Sequence, residues 1–150
     1  MIAQVSNASL LMRTRLLSRV IGGIYDKQLR SLKISSAQFA LLVAIYQVQP
    51  ATRAEIGRHQ HLDRSTLTRH LKVALSKGWA EETRRGANGR RKPIVLTGTG
   101  TDLLREAQPA CREAQVQAQA LFGEDGVTAL MDIASRVADP EIFPPMKSSS

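Results

Sequence analysis

The hydrophobic positions of the chain recur with helical spacing over most of its length. Between residues 8 and 32, leucine, isoleucine and valine return every three or four residues, which predicts one long first helix. These apolar residues lie on more than one side of that helix, so we expect a partner chain to cover part of its surface. A second apolar stripe predicts a helix from residue 37 to about residue 47, capped by Ser35 or Ser36.

Two segments with helix-capping signals follow. Thr52 and Glu55 have the spacing of a capping box and predict a short helix that ends near residue 59. Asp63 is the expected N-cap of a further helix over residues 64–77, and Gly78 is its expected left-handed stop. The apolar residues of this helix point to one side, and the other side carries short polar and cationic side chains that can reach base edges and phosphates.

Two short β-prone runs, residues 79–84 and 91–97, come next. Gly86, Asn88 and Gly89 lie between them and supply the positive φ angles that a hairpin tip requires. Arginines flank this tip on both sides. The sequence therefore predicts a basic β-hairpin.

Two further helices are expected after the hairpin. Thr97 or Thr99 can cap a helix over residues 101–121, in which Pro109 predicts a kink rather than two separate helices. A last helix is expected over residues 126–138, and residues 139–150 are expected to form a flexible tail.

Positive charge is concentrated between residues 53 and 92, where eleven Lys or Arg stand against four Asp or Glu. The 150-residue chain as a whole has a formal net charge of +8, and its 43% apolar content can fill a core. A local basic surface among turns and helix caps favours nucleic acid over a membrane as the partner. We expect a cytoplasmic protein, because no apolar run could span a bilayer, no signal-peptide pattern is seen and the single cysteine cannot form an internal disulfide.

Four stretches of the sequence together resemble the MarR family of winged helix-turn-helix regulators. They are residues 37–42 (AQFALL), similar to the family's second helix; residues 63–69 (DRSTLTR) with 75–78 (LSKG), similar to its recognition helix and stop; residues 96–100 (LTGTG), similar to the junction after the wing; and residues 88–90 (NGR), at the place of the wing's Asp-x-Arg. The likeness covers roughly residues 8–138. Asn88 can offer Arg90 only a neutral hydrogen bond, so we expect a looser or differently held wing.

The resemblance implies a mainly α fold with a small β-hairpin wing, that is, a winged helix-turn-helix plus a helical dimerisation region. Residues 1–150 would form a single MarR-like domain, with residues 36–98 as the DNA-binding lobe and residues 8–33 and 99–138 as dimerisation helices. It also implies a homodimeric repressor on a palindromic operator in double-stranded DNA, with recognition helices roughly 34–36 Å apart. A small, often aromatic or phenolic effector would enter between the dimer helices and the lobe and release the DNA.

The same resemblance implies two groups of DNA contacts, one in the major groove and one in or along the minor groove. The recognition-helix group is Arg64, Ser65, Thr66, Thr68, Arg69 and Lys72, and the wing group is Arg84, Arg85, Arg90, Arg91 and Lys92. The effector-binding residues cannot be identified from the sequence. The polar candidates on the first two helices are Arg13, Arg19, Tyr25 and Tyr46.

Single residues of the chain also suggest other functions. Cys111 could act as a redox switch, although a buried and inert thiol is the favoured interpretation. The three histidines, His59, His61 and His70, have no Cys or carboxylate at zinc-site spacing, so neither a metal nor another cofactor is expected. No nucleophile–base pair or phosphate loop indicates an enzyme. A sequence-indifferent architectural protein is the remaining alternative, and it predicts equal affinity for operator and scrambled DNA.

Overall fold

The computed structural model describes residue 2, residues 9–83 and residues 92–139. Within these ranges the chain is mainly helical, with one two-stranded antiparallel sheet. The elements are α1 (Leu10–Leu29), a 3-10 turn (Arg30–Leu32), α2 (Ser36–Val48), α3 (Arg53–Gln60), α4 (Arg64–Ser76), β1 (Ala80–Glu82), β2 (Ile94–Leu96), α5 (Gly98–Phe122) and α6 (Glu124–Ala138). The predicted fold class, helices with one small hairpin, is confirmed.

The largest differences from the predicted helix boundaries are in α1, α5 and α6. The α-helical part of the first helix ends at Leu29 and the chain continues as a 3-10 turn, after which Lys33 is left-handed with a φ of 56°. α5 begins at Gly98 because Thr97 provides the N-cap, and it continues through Pro109 as one helix. α6 begins at Glu124, directly after Gly123. The tail beyond residue 139 and the hairpin tip lie outside the described residues.

The expected capping interactions are present. Ser35 and Gln38 form a capping box at the start of α2, and Thr52 and Glu55 form another at the start of α3. In each box a hydroxyl and a side-chain carbonyl or carboxylate satisfy backbone N–H groups that the first turn of a helix leaves unpaired. α2 and α3 therefore begin within one residue of the predicted positions.

The end of α4 is fixed by the glycine that follows it. Gly78 has a φ of 71°, a region that glycine adopts without strain. Its N–H donates to Leu75 O (3.1 Å), and the N–H of Trp79 donates to Ala74 O (3.0 Å). These two bonds are those of a Schellman motif, which turns the chain from α4 directly into β1.

The hairpin is attached to the end of α2 as well as to itself. β1 and β2 pair antiparallel, with Ala80 opposite Leu96. On the other side of β2, Ile94 exchanges two backbone hydrogen bonds with Ala51 (2.7 and 3.2 Å), and Leu96 N–H donates to Gln49 Oε1 (2.9 Å). β2 therefore has partners on both edges, and the base of the hairpin cannot swing independently of α2 and α3.

The core lies under the helix-turn-helix. Its largest fully buried side chains are contributed by α1, α2, α3, α4 and β2, and Ala107 joins it from α5. These fully buried side chains are Leu29, Leu41, Leu42, Ile45, Ile56, Leu71 and Ile94. Gly57 of α3 is also buried, and a Cβ there would lie 3.2 Å from Leu67 Cδ2, so the missing side chain lets α3 and α4 approach closely.

A second group of apolar side chains remains open to solvent. It lies on the first half of α1, the second half of α5 and along α6, and we call it the outer apolar surface. α6 has no buried residue, although it packs against α5. The large exposed side chains of this surface are Leu10, Leu11, Met12, Leu16, Val20, Val116, Leu121, Met131, Ile133 and Val137.

No single helix in the described ranges is both long and apolar enough to cross a membrane. α1 with its 3-10 turn and α2 together have the length and composition of a membrane span. These two segments are bent by 84° relative to each other.

Candidate nucleic-acid interface

α4 separates its core-facing and solvent-facing residues cleanly. Leu67, Leu71 and Ala74 are buried, and they recur at the spacing that places them on one side of a helix. The predicted contact residues Arg64, Ser65, Thr68, Arg69 and Lys72 are all exposed, while Thr66 is half-buried at the boundary. The structure therefore brings the predicted recognition-helix group together on the solvent side of α4.

The cations of this surface are not paired with acids in the part of the chain that the structure describes. Among the residues that the structure describes, Arg64, Arg69 and Lys72 form no ion pair. Thr68 donates its hydroxyl to Arg64 O (2.8 Å), a local bond within the helix. Three guanidinium or ammonium groups on one exposed helix face are therefore available to an external anion.

Asp63 fixes the start of this helix. Its Oδ1 accepts from the Thr66 N–H (2.7 Å) and from the Ser65 hydroxyl (3.2 Å). Hydrogen bonding by Thr66, through its side chain and then its backbone N–H, lowers the pKa of Asp63, and Ser65 and the charge of Arg69 act in the same direction. The carboxylate is thus held in its charged form at the helix N-terminus, where negative charge is favourable.

Because the pKa of Asp63 is lowered in the folded protein, its contribution to stability is present above the ordinary carboxyl pKa and is lost as the pH falls through the folded pKa. Asn is also a good N-cap but does not titrate in this range. We expect Asp63→Asn to be less stable than the native protein near pH 6, and the difference to shrink as the pH falls below about 4. Urea unfolding at pH 6, 4 and 3 measures this difference, and a gap that does not change with pH would contradict the assigned role.

Only part of the predicted wing group can be placed. Lys92 is exposed and lies two residues before β2 begins. Arg84, Arg85, Arg90 and Arg91 lie outside the described residues, as does Asn88. The described end of the hairpin stem is closed by Thr83, whose N–H (2.7 Å) and hydroxyl (2.9 Å) both donate to Pro93 O.

The structure adds two charged residues at this stem that the sequence analysis did not single out. Arg53 Nη2 lies 2.6 Å from Glu82 Oε1, and Lys92 Nζ lies 4.0 Å from Glu82 Oε2. Arg53 and Glu82 are 29 positions apart in the chain. No sequence pattern links residues so far apart, because the contact exists only once the hairpin folds back onto α3.

An open cavity of about 290 Å³ lies between α2 and α5. Phe39, Val43, Tyr46 and Leu104 form its apolar lining, and Thr101, Arg105 and Gln108 supply polar groups. Of the four polar candidates that the sequence suggested for an effector, Tyr46 lines this cavity.

The other three candidates lie elsewhere. Arg13 and Arg19 are exposed on α1, and Arg19 Nε donates to Arg15 O (3.4 Å). Tyr25 is half-buried between α1 and α5, with its hydroxyl 3.3 Å from Gln115 Oε1. These three residues are not in the α2–α5 cavity lining.

Cys111 is half-buried on α5, and burial raises the pKa of its thiol. Burial also raises the pKa of Tyr25, with a further contribution from the nearby Cys111. A raised pKa keeps the thiol protonated at neutral pH, whereas oxidation requires the thiolate. In the part of the chain that the structure describes, no group of three His, Cys, Asp or Glu side chains could hold a metal ion.

Residues 32–91, which include the capped α3–α4 pair and β1, match a sequence model described as MarR family. The chain is also 31% identical to the transcriptional regulator MOSR of M. tuberculosis, solved in complex with DNA, and that structure superposes with a TM-score of 0.71 over 85% of this chain and 92% of MOSR. The chain belongs to the MarR family. It is thus related to transcription regulators rather than to enzymes.

Two further relatives agree with this membership. A mutant MarR from E. coli, complexed with operator DNA, has a TM-score of 0.76 with 23% identity, and covers 89% of this chain and 96% of MarR, which establishes a shared fold. A Bacillus subtilis (strain 168) protein described as the uncharacterized HTH-type transcriptional regulator YwoH is 30% identical over 80 residues. That match spans 53% of this chain and 58% of YwoH.

Proposed function

We propose that this MarR-family protein is a sequence-specific, double-stranded DNA-binding transcription regulator that acts as a homodimeric repressor and leaves a palindromic operator when a small molecule binds. The observation that carries the proposal is the solvent side of α4, where exposed Arg64, Ser65, Thr68, Arg69 and Lys72 face outward beside the hairpin stem. Solved DNA complexes of MOSR and of the E. coli MarR mutant support the DNA part of it.

The side chains of α4 have two proposed roles, contact with the bases and contact with the phosphate backbone. Arg69 can form two hydrogen bonds to a guanine edge in the major groove, and Ser65, Thr66 and Thr68 can donate to or accept from bases and phosphates. Arg64 and Lys72 supply charge for the phosphate backbone. The wing arginines Arg84, Arg85, Arg90 and Arg91, together with Lys92, are proposed to reach the minor groove or its backbone.

A second copy of the chain accounts for the outer apolar surface. Large apolar side chains are exposed on α1, α5 and α6, and grouped exposed apolar side chains often mark an interaction surface. In a two-fold dimer this surface would pack against the same surface of the second copy. The two α4 helices would then face successive turns of DNA, roughly 34–36 Å apart.

The α2–α5 cavity is the proposed site of the effector. It lies between a helix of the DNA-binding lobe and α5, so a ligand there would contact both parts of the molecule. A ligand that fits only one relative position of the two parts shifts the equilibrium by its difference in affinity for the two positions. We also propose a cytoplasmic location, because a regulator of this kind acts on chromosomal DNA.

The redox alternative is not favoured by the environment of Cys111. The raised pKa of its thiol lowers the thiolate fraction at neutral pH, and thiolate is the form that peroxide oxidises. Effector-controlled binding is therefore the proposed mechanism, and the sequence-indifferent alternative is tested by the experiment below.

The test begins with selection of bound fragments from genomic DNA, followed by fluorescence anisotropy on the selected duplex and a scrambled duplex at one salt concentration. We expect preference for the selected duplex by about 10³-fold or more. Arg69→Ala is expected to lose about 1–3 kcal/mol on the selected duplex and much less on the scrambled one, because it removes a base contact.

Arg112→Ala is the matched control, since it removes the same charge from an exposed position on α5. It is expected to leave both affinities near the native values. Equal binding of the native protein to both duplexes would instead identify a sequence-indifferent DNA-binding protein, and no binding to either would refute the proposal.

A further inference from the structure

Arg53, Glu82 and Lys92 meet at the hairpin stem, and we call them the stem cluster. One carboxylate holds two cations there, with Arg53 Nη2 2.6 Å from Oε1 and Lys92 Nζ 4.0 Å from Oε2. All three groups remain open to solvent, with side-chain exposures of 45% for Arg53, 30% for Glu82 and 57% for Lys92. The cluster joins the first residue of α3 to β1 and to the segment that leads into β2.

The position of the stem cluster in the helix-turn-helix indicates that it lies near the DNA backbone. In a helix-turn-helix on DNA, the first helix crosses the backbone while the second enters the major groove. α3 is the first helix here, and Arg53 is its first residue. Lys92 lies where the chain returns from the wing. With α4 in the groove, both cations lie on elements adjacent to the phosphates.

We infer that Arg53 and Lys92 form a phosphate-binding site for the DNA backbone, which the Glu82 carboxylate occupies in the free protein. The inference rests on the proposed function. A carboxylate and a phosphate diester both present anionic oxygens to a guanidinium group, so one can replace the other on Arg53. Arg53 is a DNA contact that adds to the eleven predicted from the sequence.

The exchange of Glu82 for a phosphate is favourable for two reasons. An ion pair between partly exposed groups contributes little to stability, because water screens it and the side chains lose freedom in forming it. Each phosphate that a protein cation neutralises also releases counterions from DNA, which favours binding at low salt.

The charge of Glu82 affects the affinity for every DNA sequence in the same way. Its negative charge must be moved away from Arg53 before a phosphate can bind, and it repels that phosphate afterwards. It therefore lowers the affinity for selected and scrambled duplexes by the same factor. Such a residue limits how much of the protein is held on non-specific DNA.

The inference is tested with Glu82→Gln, measured by anisotropy on both duplexes over a series of KCl concentrations. We expect Kd to fall roughly two- to fivefold on both duplexes at low salt. We also expect the plot of log affinity against log salt to steepen by up to about 0.9, because no displaced carboxylate then offsets the counterions that one phosphate contact releases. Arg53→Gln should weaken binding to both duplexes, and Glu82→Gln should gain less in that background.

Glu81→Gln is the matched control. Glu81 is exposed, forms no ion pair among the described residues and points to the opposite face of β1, so the variant removes the same charge from the neighbouring position. It should change Kd less and leave the salt slope unchanged. Thermal unfolding of each variant checks that the hairpin stem still folds. Lys92→Gln provides a second measurement of DNA affinity, in a variant that leaves the Arg53–Glu82 pair in place.

Two results would overturn the inference. Equal effects of Glu82→Gln and Glu81→Gln would show only a general charge effect, and weaker binding by Glu82→Gln would show that Glu82 positions the wing instead. If the native protein prefers its selected duplex in either case, the proposed function stands. If the native protein binds both duplexes equally, sequence-specific regulation fails, while the difference between the two glutamine variants still decides the role of the stem cluster.

Discussion

Replacing Gly100 by alanine is expected to lower the free energy of unfolding by about 3 kcal/mol, the upper part of the range for overpacked sites. Gly100 is buried in the first turn of α5, and a Cβ there would overlap the carbonyl oxygen of Trp79, a backbone atom that cannot move aside on its own. That carbonyl already accepts the Thr97 N–H (3.0 Å). Either α5 or the base of the hairpin must therefore shift.

Thr97 makes the site sensitive to such a shift. Its Oγ1 accepts the Gly100 N–H (3.0 Å) and donates to Gly78 O (2.6 Å), so one hydroxyl joins the start of α5 to the end of α4. Displacing α5 at Gly100 strains both bonds. We therefore expect Gly100→Ala also to weaken DNA binding, because the position of α4 depends on this junction.

Gly98→Ala is the control for Gly100→Ala. Gly98 lies in the same helical turn, but a Cβ at that position meets nothing within 4 Å. Its unfolding free energy should stay within about 0.5 kcal/mol of the native value. Thermal and urea unfolding measure both variants, and a Gly100→Ala protein as stable as Gly98→Ala would show that the junction at Trp79 is not tightly packed.

A glutamate at position 133 is expected to lower operator affinity by about 100-fold, because it separates the dimer and leaves each α4 to bind one half-site alone. Ile133 is 59% exposed on α6, on the apolar side of a helix that has no buried residue. In the proposed dimer its side chain is covered by the partner, and an unpaired carboxylate there would be desolvated. Ile133→Glu should therefore be monomeric at concentrations at which the native protein is a dimer.

Ser135→Glu introduces the same charge on the polar side of α6 and should remain dimeric with native affinity. Sedimentation equilibrium gives the association state, and anisotropy on the selected duplex gives the affinity. A native protein that is monomeric, or an Ile133→Glu protein that remains dimeric and binds normally, would contradict the assignment of the outer apolar surface. Thermal unfolding distinguishes loss of the dimer from loss of the fold.

The local structure could largely be predicted because short-range signals specify it. Thr52 with Glu55, and Asp63 before α4, are capping residues within three positions of the groups that they bond. Gly78 stops α4 because a positive φ is needed at that residue alone. The exposed side of α4 follows from helical periodicity, so most of the predicted recognition-helix group lies on one solvent-facing surface.

Other features could not be predicted because they depend on residues distant in the chain. Glycine has a low intrinsic helix propensity, whereas the structure shows that Gly57 in α3 lets Leu67 of α4 pack closely. Arg53 seemed to be one more charge in a basic segment, whereas it pairs with Glu82 across 29 positions. The need for glycine at position 100 arises from a backbone carbonyl in another element.

The sequence by itself determined which segments are helical, which residues cap α2, α3 and α4, and that positive charge is concentrated between residues 53 and 92. These properties depend on backbone geometry and on side chains within a few residues of one another. Only the tertiary structure decided that α2 and α5 enclose a cavity, that Glu82 holds two of the cations, and that α6 exposes its apolar side. Each of these depends on where separate helices and strands pack, and packing brings together residues that have no fixed spacing in the sequence.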